Sequence, residues 1–117
     1  YQIKSTRKLK EAISLPVVGA GRIVTPDEAE EHISSGDCDF IALARALIAD
    51  PEWVSKTSTG AAHRIRPCVG ANLCLASIAT QAPIACIHNP AAGAESKFGI
   101  DTLTIAKKKK KVFFPRC

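Results

Sequence analysis

The sequence predicts an α/β fold built on parallel strands, and three observations carry that reading. Two short runs, LPVVGAGRIV (15–24) and CDFIALARALI (38–48), are apolar over residues 15–20 and 40–43 up to a Gly-Arg or Ala-Arg pair, as in strands covered on both faces. Each run is followed by a segment with helix-start chemistry, TPDEAEEHISSG (25–36) and ADPEWVSKTSTG (49–60). Strands that alternate with amphipathic helices form right-handed βαβ units and hence a parallel sheet.

Taken in order, residues 5–14, STRKLKEAIS, put Leu9, Ala12 and Ile13 at helical spacing among basic residues, which predicts an amphipathic surface helix. The first strand follows. The next helix has Thr25 as N-cap, Pro26 at its first position, Glu28 completing a capping box and Gly36 as its stop. After the second strand, Asp50 is expected to cap another helix with Pro51 in its first turn. Two strands with apolar faces need neighbours on both edges. The chain begins at Tyr1 and holds no Met, so it reads as a piece of a longer protein.

Composition narrows the function. An apolar content of 46% with a mean hydropathy of +0.05 indicates a folded chain. No stretch has the apolar length of a signal peptide core or a membrane span, and a cytoplasmic location without membrane association is expected. The net charge of +5 comes from two terminal clusters, Lys4, Arg7, Lys8 and Lys10 at one end and Lys107 to Lys111 at the other, with only 5% aromatic residues. Nucleic-acid surfaces spread basic residues along a face and interleave aromatics, so no nucleic-acid partner is expected.

Each predicted strand ends in a small residue followed by arginine, Gly21-Arg22 and Ala44-Arg45. In (β/α)8 barrels ligands bind at the carboxyl ends of the strands, and the last two loops commonly hold a phosphate. Exposed backbone amides at Gly21 and Ala44 and the guanidinium of Arg45 suit an anion. A simple turn with solvated arginines fits the same residues.

The five cysteines are an odd number and three of them cluster, Cys68, Cys74 and Cys86, spaced C-x5-C-x11-C, with His88 two places on. Without a secretory signal this favours thiols or metal ligands over disulfides. Zinc on Cys68, Cys74, Cys86 and His88 is one possibility, although structural zinc prefers C-x2–4-C. Cys38 and Cys117 lie outside the array and read as packing residues. Trp53, His32 and His63 are assigned packing or surface roles.

The run VVGAGRIVTPDEAEEHISSGDCDFIALARALIADPEW, then RPCVGANLC and CIHNPAAGAE, resembles the FMN and iron–sulfur flavoenzymes of the trimethylamine dehydrogenase and 2,4-dienoyl-CoA reductase group, relatives of old yellow enzyme, over residues 12–95. The wording of the two cysteine segments is most similar to the branch that demethylates N-methylated amino acids and betaines. The resemblance implies the C-terminal quarter of an FMN-binding (β/α)8 TIM barrel over residues 1–62, an iron–sulfur loop over 63–95, and over 96–117 a linker with the truncated start of a nucleotide-binding domain. It implies that Gly21, Arg22, Ala44 and Arg45 meet the FMN phosphate. It implies that Cys68, Cys74 and Cys86 are three of the four thiolates of a [4Fe–4S] cluster.

The family's second cysteine is Ala71 here, and alanine cannot bind iron. A non-cysteine ligand such as His88 or His63, solvent, loss of one iron, or no cluster at all are the options. In the family the flavin exchanges electrons with a small-molecule substrate, and the cluster relays them to a second domain whose FAD or NAD(P) would not be encoded here. The family's acid and base residues lie in earlier strands, so no catalytic residue is assigned. The end of the chain, KKKKKVFFPRC, begins like a strand but lacks the glycine-rich loop expected next. The chain alone is expected to be inactive, needing the rest of the barrel, and an inactive remnant is the remaining alternative.

Overall fold

The computed structural model describes residues 3–102 and 104. The Lys107 to Lys111 run, the VFF after it and Cys117 therefore lie outside the described residues.

Helix α1 (Ile3–Ala12) leads into strand β1 (Val18–Ala20), helix α2 (Pro26–Ser34) and strand β2 (Phe40–Ala42). The strands pair in parallel, with Val18 opposite Phe40, Gly19 opposite Ile41 and Ala20 opposite Ala42. This is the predicted βαβ unit. Val18 and Phe40 are 57% and 59% exposed, so among the described residues one face of the strand pair is uncovered, as expected of strands that need neighbours from outside this chain. Gly19 is required by close packing, because a Cβ there would come within 2.7 Å of the Sγ of Cys38. Cys38 is itself buried.

Helix α2 is set by the residues that predicted it. The Thr25 hydroxyl accepts from the Glu28 amide at 3.2 Å, and the Glu28 carboxylate accepts from the amides of Val24 at 2.7 Å and Thr25 at 3.0 Å. Those backbone donors, Val24 first, hold the Glu28 carboxyl below its usual range. Such a cap contributes about 0.5–2 kcal/mol. The helix stops at Ser35, and Gly36 takes a φ of +72°, a conformation glycine adopts without steric penalty.

Three expectations are corrected. In α1 the buried residue is Ile3, whereas Leu9 and Ile13 are 51% and 40% exposed, with Ile13 past the helix end. Besides Ile3 in the core, ion pairs from Arg7 to Asp37 and from Lys10 to Asp39 join the helix to the loop before β2. Asp39 also accepts from the Val17 amide at 2.8 Å. The second apolar run is a strand only over Phe40–Ala42, and Arg45–Ala49 forms helix α3. Four of those five residues, Arg, Ala, Leu and Ala, are strong helix formers. Finally, helix α4 (Trp53–Ser58) starts later than expected, behind Glu52; the Asp50 carboxylate accepts from the Glu52 amide in the turn that leads into it at 3.1 Å, and has further partners.

The core gathers Ile3, Ile23, Ala29, Ala46 and Trp53, with Ile41, Leu43, Leu47 and Ile65 packed around them. The Trp53 indole N–H donates to the Val24 carbonyl at 3.0 Å, tying α4 to the loop after β1. A single 3-10 turn (Ala62–Arg64) leads to the cysteine segment, which contains helix α5 (Leu73–Ala79) and, beyond it, helix α6 (Glu95–Phe98) and a last 3-10 turn (Ile100–Thr102). Among the described residues no helix is long and apolar enough to cross a membrane.

Candidate functional site

Beyond the carboxyl ends of β1 and β2 the chain opens a cavity of about 210 Å³ lined by residues 20–24, residues 42–46, Cys68 and Gly70. Gly21, Arg22, Ala44 and Arg45 all border it. The turn after β1 is built by two left-handed positions, Gly21 at φ 152° and Arg22 at φ 53°. The first is a glycine-only conformation and the second is costly for arginine.

The two arginines differ in how they are held. Arg45 is half-buried, and its Nη1 donates to the side-chain oxygen of Asn72 at 3.1 Å. Arg22 is exposed and lies against Gly70, where a Cβ would meet its Nη2 at 3.2 Å. Both guanidiniums thus reach the loop between Cys68 and Cys74. Asn72, at φ 60°, is the left-handed residue from which α5 starts, and asparagine is among the few side chains that tolerate that conformation.

A second, smaller cavity adjoins the first. Its walls include Cys68, Ala71, Cys74, Cys86 and His88, together with Arg45 and Asn72. The thiols are all free, with Cys74 buried and the other two half-buried. The cavity is about 20 Å³, room for one water-sized atom. Among the described residues no group of three or more His, Cys, Asp or Glu side chains is placed to hold a metal ion, so the thiols surround a space without meeting at one ion-sized point. His63, the other histidine considered as a ligand, is exposed and is not part of this wall.

Buried polar residues anchor the cysteine segment to the α/β unit. The Asp50 carboxylate, fully buried, accepts from Lys56 Nζ at 2.7 Å, the Arg66 amide at 2.9 Å and the Glu52 amide at 3.1 Å. Burial pushes this carboxyl up, but the Lys56 ammonium and the two amides outweigh it and leave it below the usual range. Asn89, 4% exposed, donates to the Ile48 carbonyl at 2.8 Å and accepts from the Ala91 amide at 3.2 Å. Asp50 therefore fixes the entry to the segment, and Asn89 fixes its return. Asp50, Asn72 and Asn89 are the site residues that sequence reasoning missed. Asp50 was visible only as a helix cap, and Asn89 only as part of the run CIHNPAAGAE.

The model of the NADH:flavin oxidoreductase / NADH oxidase family matches residues 1–64. The chain is 41% identical over 113 residues to a bilirubin reductase of Mediterraneibacter gnavus, covering 96% of this chain and 17% of that protein. It is 37% identical over 94 residues to a dimethylamine dehydrogenase of Hyphomicrobium sp. strain x, covering 80% of this chain and 13% of that protein. Among solved structures, the 6-hydroxypseudooxynicotine amine oxidase of Pseudomonas geniculata N1 superposes with a TM-score of 0.79 at 40% identity, over 84% of this chain and 15% of that one. The chain thus spans less than a fifth of the length of each of these three proteins. With more than half of its residues inside the family model, the chain belongs to the NADH:flavin oxidoreductase / NADH oxidase family.

Proposed function

We propose that this chain is the C-terminal quarter of a flavin-binding (β/α)8 barrel, residues 1–62, joined to an iron–sulfur loop, residues 63–95, with residues 96–117 leading toward a nucleotide-binding domain. In that setting it holds one end of FMN and a cluster within a larger oxidoreductase. The observation that carries the reading is the shared wall of the two cavities, to which Arg45, Cys68 and Gly70 all belong. FMN bound there would supply two-electron chemistry toward a substrate, and a cluster one-electron transfer onward.

What this chain contributes is placement. The backbone at Gly21 and Ala44, with Arg22 and Arg45, fits the dianionic end of the flavin. Cys68, Cys74 and Cys86 offer soft thiolate donors spread around a cavity, as a cluster needs, whereas one zinc ion would need four ligands about 2.0–2.3 Å from a single point. Loading a cluster requires the loop from Val69 to Asn72 to move outward, since the cavity holds little more than one water-sized atom. A small amine is the substrate class favoured by the wording CVGANLC and CIHNPAAGAE and by the amine-oxidising relatives. Anaerobic addition of an N-methylated amine to the complete protein is expected to bleach the flavin absorption. Bleaching by NADH alone, with no response to amines, would move the protein to the reductase side of the family.

Ala71 makes a further expectation testable. Ala71 lines the same cavity as the three cysteines, so Ala71→Cys in the complete protein is expected to raise bound iron and acid-labile sulfide and to deepen the broad cluster absorption beside the flavin bands. Unchanged iron, together with stoichiometric zinc in the unaltered protein, would replace the iron–sulfur reading with a zinc site.

A further inference from the structure

We propose that the loop from Cys68 to Cys74 closes on the strand-end cavity when a phosphate group occupies it, so that the cysteine segment responds to flavin binding; the proposal deepens the flavin reading above and rests on it. The loop has few tethers of its own. Among the described residues the backbone groups of Cys68, Val69, Gly70 and Ala71 make no hydrogen bond. Segments held so lightly open at low cost in free energy, and they are the ones that a ligand can order.

The polar links from this loop to the strand ends are two arginines. Arg45 Nη1 donates to the Asn72 side-chain oxygen at 3.1 Å. Arg22 lies against Gly70, which at φ +71° and without a Cβ leaves room for the guanidinium. Among the described residues Arg45 has no other hydrogen bond and Arg22 has none. Arg45 therefore keeps Nε and Nη2 for a second, forked partner while Nη1 stays on Asn72.

Charge gives the direction of the effect. Both arginines border the strand-end cavity, and no Asp or Glu lines it. Two like charges on one wall oppose each other's approach, and the loop that touches both is held loosely as a result. A phosphate dianion between them reverses the sign, because each guanidinium then gains a charge-assisted bond to the same group. Drawing both inward draws Asn72 and Gly70 with them. Cys68, Gly70 and Arg45 border the thiol-lined cavity as well, so the closure reaches the cysteines. By linkage, the closed loop strengthens phosphate binding by the same factor.

The test uses the complete protein stripped of flavin, with amide hydrogen exchange followed at Val69, Gly70 and Ala71. FMN is expected to slow exchange there by about 5–150-fold, the usual span of coupling between two sites. Riboflavin, which lacks the phosphate, should not, and riboflavin with inorganic phosphate should recover part of the slowing. Asn72→Gly separates coupling from loop shape, since glycine takes the left-handed backbone of Asn72 at φ 60° without strain but offers no acceptor to Arg45. It should lose most of the FMN effect and, by the same factor, the preference for FMN over riboflavin. Tight FMN binding with unchanged exchange at 69–71, or an FMN effect fully retained in Asn72→Gly, overturns the closure and leaves the phosphate site standing. Equal affinity for FMN and riboflavin in the unaltered protein, with equal slowing by both, overturns the closure and the phosphate reading together.

Discussion

Asp50→Asn is expected to unfasten the cysteine segment from the α/β unit, accelerating amide exchange at Arg66 in the complete protein by about two to four decades. The carboxylate is fully buried and accepts three hydrogen bonds, two from the amides of Glu52 and Arg66 and one from Lys56 Nζ. Asparagine keeps the shape but loses the charge. It also turns one acceptor into an NH₂ group facing donors. The Lys56 side chain, 16% exposed, is left with Glu52, 3.4 Å away and largely solvated. Removing one partner of a buried pair costs about 3–5 kcal/mol, and about 1.4 kcal/mol corresponds to a decade. Because the expected loss is local, exchange at Arg66 reports it more directly than a melting temperature of a multidomain protein.

The pH dependence has a definite sign. Asp50's folded-state carboxyl lies below its ordinary range, because the cost of burial is outweighed by the Lys56 ammonium and two amides, so its stabilisation is fully present above the unfolded pKa of about 3.9 and is lost as pH falls through the lower folded value. Glu28, Asp37, Asp39 and Glu95 are shifted in the same direction and add to the acid-side loss. Protection at Arg66 should therefore fall only below about pH 4, and in Asp50→Asn that acid-side fall should be smaller by the share Asp50 contributes. Unchanged Arg66 exchange in the variant at neutral pH would show that the segment is held by Asn89 and the loop contacts instead.

What could be read from the sequence follows from the range of the interactions involved. The Thr25 cap, Pro26, Glu28 and the Gly36 stop are all settled within a dozen residues, and local chemistry suffices for them. The meeting of Gly21, Arg22, Ala44 and Arg45 around one cavity was also legible, because a βαβ unit brings the carboxyl ends of neighbouring strands together whatever the loops contain. The division of CDFIALARALI into strand and helix was not. Apolar runs look alike in both states, and only the concentration of Ala and Leu after Leu43 signalled the change. Asp50, Asn72 and Asn89 were hidden for a different reason: their partners Arg66, Arg45 and Ile48 are 16, 27 and 41 residues away. Polar anchors of that separation leave no periodic trace.

Arg45→Ala is expected to weaken FMN retention in the complete protein by roughly ten- to a hundredfold, and Arg22→Ala by only a few-fold. Both side chains border the strand-end cavity, so the difference comes from how each is held. Arg45 is half-buried and oriented by the Asn72 side-chain oxygen at 3.1 Å. A charge-assisted fork in that position contributes about 1.5–3 kcal/mol, which converts to that range in Kd. Arg22 is exposed, where water competes for the same charge and an ion pair is worth about 0–1 kcal/mol. The Asn72 bond adds a discriminating variant. Asn72→Ala leaves the guanidinium charge in place but frees its orientation, so its flavin Kd should fall between those of the two arginine variants. Flavin release measured by equilibrium dialysis orders the three. Equal losses for Arg45→Ala and Arg22→Ala would mean that the flavin phosphate feels only total charge, and the anchoring of Arg45 by the cysteine loop would have no part in holding it.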